Sequence, residues 1–248
     1  MTRPRPKSFH DQIVEELGAK IVSGVLASGT QVSPEPILAE SLGVGRLAVR
    51  EAMKVLAAKG LIVIRPKTGT HVLPREAWNL FDPAVLRWHA AASFDDRFLA
   101  DLVQLRRMIE PPAARLAAVQ ATDAQIEAVR SAHAAMAAAT AQEDYIAADL
   151  RFHAAVLAAC NNQFIRQLQG AISEVLKISF TASSAPGGRQ ERLFALSLHE
   201  ALVTALVQRD GDAAEAAVQR LIERAEDRIR GARQAAGAAK AGPAAGSR

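Results

Sequence analysis

The chain has 248 residues, room for one large domain or two modest ones; half of them are hydrophobic, largely alanine, and only 4% are aromatic. A single cysteine, Cys160, excludes a disulfide framework or a CxxC motif, and no run approaches the roughly 18 apolar residues of a membrane-spanning helix. The net charge of +4 is unevenly placed: residues 1–75 hold eleven Lys and Arg against six Asp and Glu, and the rest is net −1, so a polyanionic partner is expected at one end only.

Met1 to Ser8 is rich in Pro and Arg, reads as a loose end, and is followed by no apolar signal core, so a cytoplasmic protein is expected. From Phe9 to about Val25 a helix carries Ile13, Leu17, Ile21 and Val22 on one side. A short helix over Pro36–Ser41 ends at Leu42-Gly43, where glycine supplies the positive φ of a tight corner. A second helix, about Arg46–Lys59, has Val49, Ala52, Met53 and Leu56 as a buried stripe, while Arg46, Arg50 and Lys54 step along another face. Leu61–Ile64 and Thr70–Leu73 read as two strands around a turn, with Lys67 and His71 near its tip. A helical corner with a solvated charged face is the simpler alternative, but charged faces alone are weak signals. The order helix, corner, cationic helix, basic hairpin is more specific: it predicts a winged helix-turn-helix of three helices and a two-stranded wing that binds double-stranded DNA.

The composition changes near residue 76, giving a DNA-binding domain over 9–75 and a connector over 76–94. Asp82-Pro83 reads as an N-cap and first-turn proline, and Trp78, Phe81 and Trp88 are expected to seat the connector against a second domain. Residues 95–230 read as an all-α antiparallel bundle, with Leu99, Leu102, Val103, Met108, Ile109 and Leu116 in period, a kink or a broken turn at Pro111-Pro112 and a polar loop over Thr181–Gln190. The Ala/Gly-rich stretch 231–248 is expected to be disordered.

Two features of the bundle carry chemistry. Asp149 and His153 share a helix face four residues apart and His199 lies on a later helix; this donor set suits Zn, Ni, Fe or Mn, although a histidine on an amphipathic helix is more often a core or surface residue. Arg106 and Arg107 interrupt an apolar stretch. If Arg106 points inward it needs an anion, either a ligand carboxylate or Glu110 one turn later. Gln104, Ser173 and Ser197 are candidates to meet ligand hydroxyls. A metal-dependent hydrolase is one alternative, but no separate general base accompanies Asp149, His153 and His199, and enzymatic activity is not expected. An effector-independent nucleoid-type DNA binder is another.

The run Glu35-Pro36-Ile37-Leu38-Ala39-Glu40-Ser41-Leu42-Gly43-Val44-Gly45-Arg46-Leu47-Ala48-Val49-Arg50-Glu51-Ala52, with Gly60-Leu61 and Gly69-Thr70-His71-Val72, resembles the winged-helix reader of GntR-family transcription regulators. Arg106 to Pro111, Asp149-Leu150-Arg151-Phe152-His153 and His199 resemble the ligand-sensing FCD domain of the FadR branch. Within it, Trp78 to Asp82, Val85 to Trp88 and Ala148 to Leu157 resemble the repressors of bacterial D-galactonate catabolism. The resemblance implies a homodimeric repressor of a palindromic operator, released by a small carboxylate such as D-galactonate. It implies DNA contacts from Arg46, Arg50 and Lys54 and from the wing residues Lys67, Thr68, Gly69 and His71. It also implies a divalent metal on Asp149, His153 and His199, and an effector carboxylate on Arg106. Two departures stand out: Pro36 occupies a position often held by Arg, and Leu221 occupies that of a third metal-binding His.

Overall fold

The computed structural model describes residues 9–92, 96–183 and 189–241, which form two compact units divided between Phe94 and Asp95. The expectations for residues 1–8, for the centre of the 181–190 loop and for the end of the tail lie outside the described residues.

The first unit contains α1 (Phe9–Val22), β1 (Gln31–Val32), α2 (Glu35–Leu42), α3 (Arg46–Ala58), β2 (Ile62–Arg65), β3 (Gly69–Val72) and α4 (Pro83–Ala92). Its core is built from the predicted stripes: Ile13, Leu17 and Ile21 of α1 meet Val49, Ala52, Met53 and Leu56 of α3. Burying such an aliphatic side chain stabilises by roughly 1.5–3 kcal/mol, so this stripe fixes which side of α3 faces solvent. The corner after α2 turns at Gly43, with φ 64°, and Val44 N–H donates to the Ala39 carbonyl at 3.0 Å. This satisfies a carbonyl the helix end leaves open.

The wing has three strands rather than two, in the order β1-β3-β2, all antiparallel. A two-residue strand shows no alternation in sequence; β1 is held by buried Val32 and by Val72 N–H donating to the Thr30 carbonyl at 3.0 Å. Asp82 caps α4 as expected, its Oδ1 accepting from the N–H of Ala84 at 2.9 Å. Trp88, expected to seat the connector, packs into the core of the first unit. It is buried against α1, its ring filling the space a side chain at Gly18 would need, and its Nε1 donates to Glu15 Oε2 at 2.8 Å. α4 therefore adds to the core of the first unit.

The second unit is an antiparallel bundle of α5 (Asp96–Gln120), α6 (Asp123–Ala138), α7 (Gln142–Ala159), α8 (Gln163–Ser183), α9 (Arg189–Val207) and α10 (Gly211–Ala241). α6 opens on a capping box, with Gln125 N–H donating to Thr122 Oγ1 and Thr122 N–H to Gln125 Oε1. Three expectations change here. α5 runs unbroken through Pro111 and Pro112. The carbonyls these prolines leave without an intrahelical donor are those of Arg107 and Met108, both exposed residues. Met108, placed in the apolar period, is 61% exposed. α10 continues past Arg230 to Ala241, because the alanines there are strong helix formers and outweigh Gly231 and Gly237. Among the described residues no helix is long and apolar enough to cross a membrane.

Gly60 sits at φ 74°, where an added Cβ would run into the Ala77 carbonyl oxygen. Gly60→Ala is predicted to destabilise the first unit by roughly 2 kcal/mol. Both tryptophans, Trp78 and Trp88, lie in this unit. Tryptophan fluorescence during urea unfolding therefore reads it directly, and the midpoint should fall.

Candidate functional site

Two sites emerge, one in each unit. In the first, burial of the apolar stripe leaves Arg46, Arg50 and Lys54 on the solvent side of α3. Both Nε and Nη2 of Arg50 donate to Glu35 Oε2 at 3.1 Å, tying the guanidinium to α2. Lys54 pairs with Glu51 at 2.9 Å, and Arg46 has no ion pair among the described residues. Lys67 and Thr68 are exposed between β2 and β3, with Lys67 at φ 69° and Gly69 at φ 87°. His71 lies behind the tip, within β3 opposite Gln31 and Val63, and is half-buried. The sequence placed it in this strand, near the tip, and pairing on both sides of β3 holds it in the sheet.

In the second unit, α7 presents Asp149 and His153 one turn apart and α9 brings His199 to them; all three are buried. One donor atom from each lies within 4.8 Å of the others. His199 Nδ1 donates to the Ala195 carbonyl at 2.8 Å, since that oxygen can only accept. Its Nε2 lies 3.0 Å from Asp149 Oδ1, out of hydrogen-bond alignment, and both atoms are buried without a hydrogen-bond partner. A cation between the two atoms would give both a partner. The Nε2 of His153 reaches the same oxygen at 3.5 Å. Two imidazoles and a carboxylate around one point fit a divalent transition metal, with the backbone carbonyl fixing the His199 tautomer.

A buried ion pair supports this cluster. Arg106 donates to Glu110 through Nε at 2.7 Å and Nη2 at 3.2 Å. Glu110 Oε2 also lies 3.5 Å from His153 Nδ1. Burial pushes the Glu110 carboxyl up, but Arg106 and then His153 outweigh it and hold the group down at about 2. Burial likewise raises Asp149, and His199, His153 and Arg106 together bring it below the usual carboxylate value. Both carboxylates are therefore ionised at neutral pH.

The cluster opens into a cavity of about 550 Å³ whose lining includes Arg106, Tyr145, Phe180, Arg192, Leu221 and Arg224. Arg106 Nη1 and Arg224 Nε are buried there without hydrogen-bond partners. Arg224 is otherwise anchored on Glu191 Oε1 at 2.5 Å. Arg192 lies over the Tyr145 ring at 4.7 Å. Burial, with Asp149, pushes the Tyr145 phenol up to about 12, so it remains a hydroxyl. Two buried guanidinium N–H groups in search of acceptors make this a cavity for an anionic or oxygen-rich ligand.

Arg106 thus makes the predicted pair with Glu110 and still has one donor free. Arg107 points out and pairs with Glu226 at 2.5 Å. None of Gln104, Ser173 and Ser197 lines the cavity. Gln104 and Ser197 precede Arg106 and His199 by two residues, about 200° around their helices. Ser173 lies two turns before Phe180, the α8 residue that reaches the lining. Sequence reasoning missed Tyr145, Arg192 and Arg224. Arg224 had one signal, its position one turn beyond Leu221 on α10.

A basic winged helix followed by a helical bundle with a buried, ligand-sized cavity defines a ligand-responsive, DNA-binding transcription regulator. The chain belongs to the gntR family of bacterial regulatory proteins: the model of that family matches residues 9–72, and the FCD domain model matches residues 101–224. It is 34% identical over 221 residues to the galactonate operon transcriptional repressor of Escherichia coli (strain K12), covering 89% of this chain and 96% of that protein. It is 33% identical to YieP, an uncharacterized HTH-type transcriptional regulator of the same organism, covering 87% and 93%. Among solved structures, that of Lar, described as controlling the expression of the Listeria monocytogenes agr system, shares the fold at a TM-score of 0.64 and 17% identity, over 92% of this chain and 99% of that one. These relatives favour the regulator over the hydrolase and nucleoid-binder alternatives.

Glu110→Gln leaves Arg106 buried without its counter-charge and is predicted to destabilise the second unit by about 3–5 kcal/mol. Because the Glu110 pKa is depressed on folding, its stabilisation is complete above about 4.5 and is lost as pH falls toward about 2. Acid unfolding followed by helical circular dichroism should show this loss in the wild type and a flatter profile over that range in Glu110→Gln.

Proposed function

We propose that this regulator is a cytoplasmic repressor of a sugar-acid catabolic operon, released from its operator by a small hydroxy-carboxylate such as D-galactonate or a related aldonate. The observation that carries the reading is the free Nη1 of buried Arg106, facing the cavity that the Asp149, His153 and His199 cluster also faces. A carboxylate there satisfies a donor that otherwise lacks an acceptor. Ligand hydroxyls have Tyr145 and Arg224 as partners. The name of the E. coli relative supports the choice of acid.

On the DNA side, Arg46 and Arg50 read base edges from α3, and Lys54 meets phosphate. Lys67, Thr68, Gly69 and His71 form the wing contact in the minor groove. A single winged helix covers a short site, so two copies on a palindrome supply the required affinity. A tenfold loss of operator affinity needs about 1.4 kcal/mol of coupling to the ligand.

Asp149, His153 and His199 would hold a divalent ion, zinc in the first instance, which when bound adds positive charge beside Arg106 for a ligand oxygen. Leu221, buried on the cavity wall, offers no donor, so the protein contributes three ligands and leaves a position open.

Operator-bound protein titrated with D-galactonate should release DNA, and galactose should not. Arg106→Ala should shift the galactonate response at least tenfold to higher concentration. Equal release by the neutral sugar, or a normal response of Arg106→Ala, contradicts carboxylate recognition. His153→Ala should lower the metal content of gently purified protein in elemental analysis, with the first unit still folded by tryptophan fluorescence. Leu221→His should tighten zinc binding at least tenfold in a chelator competition.

A further inference from the structure

The exposed face of α3 begins with an apolar side chain. Leu47, in the first turn, is 72% exposed. Arg46 precedes it, and Arg50, Glu51 and Lys54 follow at three, four and seven residues along the same face. The core does not use Leu47, since Val49, Ala52, Met53 and Leu56 form the buried stripe. Gly45, just before the helix, has open space where a side chain would stand, and Arg50 is drawn toward Glu35 on α2. Among the described residues nothing covers the leucine.

In helix-turn-helix readers the first turn of the second helix meets base edges in the major groove. That groove offers one distinctly apolar feature, the C5 methyl of thymine. We propose that Leu47 is a specificity-determining residue that reads a thymine methyl in each operator half-site, beside the bases contacted by Arg46 and Arg50. This rests on the placement of α3 in the major groove. Leucine has no polar atom with which to satisfy the cytosine amino group. A T·A pair therefore gains the methyl contact, while a C·G pair at the same place loses it and leaves a donor dry. Removing one methyl from such a contact weakens binding by about fourfold per half-site, the equivalent of one buried methylene.

Single exposed apolar residues are common on protein surfaces, so the decisive test deletes the methyl rather than the leucine alone. The full-length protein is first used to select a specific duplex from random double-stranded DNA. Each dT of that duplex is then replaced by dU, symmetrically in both half-sites, and Kd is measured at fixed salt. The wild type should lose about fourfold per half-site at one position, and Leu47→Ala should bind the dT and dU duplexes equally while melting like the wild type. Indifference of the wild type to every dU, or the same dU penalty in Leu47→Ala, overturns the assignment. Arg46→Ala and Arg50→Ala serve as the separate check on α3. Each should lose at least about fivefold in specific affinity, and if both bind as the wild type does, α3 is not the reading helix and the placement itself fails.

Discussion

The sensing cavity depends on how one buried carboxylate divides its two oxygens. Glu110 gives Oε1 to the Nε of Arg106 and Oε2 to both Arg106 Nη2 and the approach of His153 Nδ1. The guanidinium is thereby held rigid with Nη1 left over, and the imidazole turns its other nitrogen toward Asp149. Burying two charges costs several kcal/mol unless each is paired, and the approach of His153 Nδ1 to Glu110 Oε2 adds a polar contact between α7 and α5. An interaction that looks purely structural thus positions both a prospective anion contact and a prospective metal ligand.

The same economy holds in the winged helix. Val49, Ala52, Met53 and Leu56 are buried completely or nearly so, which fixes the rotation of α3 about its axis. Arg46, Leu47, Arg50 and Lys54 are then exposed as a consequence of packing. Glu35 ties Arg50 to α2, so the two helices of the motif share a polar as well as an apolar contact. Membership of the gntR family gives this exposed face its partner.

Much of this was legible in the amino-acid sequence because it rests on local periodicity. The stripe of α3, the turn at Gly43, the cap at Asp82 and the shared face of Asp149 and His153 all lie within a few residues of their causes. What was not legible depends on residues far apart in the chain. β1 is two residues long and exists because β3 offers it an edge. Trp88 is buried because Gly18, on another helix, leaves room for its ring. Arg224 reaches the cavity while held by Glu191, 33 residues away, and nothing near either residue signals that meeting. The prolines of α5 mislead in the other direction: their local rule allows a broken turn, but the helix continues through them, and the residues whose carbonyls they leave open, Arg107 and Met108, are exposed.

The central claim is that one cavity joins an anion site at Arg106 to a metal site at Asp149, His153 and His199. Crystals of the full chain grown with zinc and D-galactonate, measured at the zinc absorption edge, test it most directly. A single anomalous peak at about 2.0–2.2 Å from His153 Nε2, His199 Nε2 and an Asp149 oxygen, with the carboxylate of the acid on Arg106 Nη1, is the predicted result. A zinc peak elsewhere, or the acid bound with Arg106 Nη1 still without a partner, would contradict it.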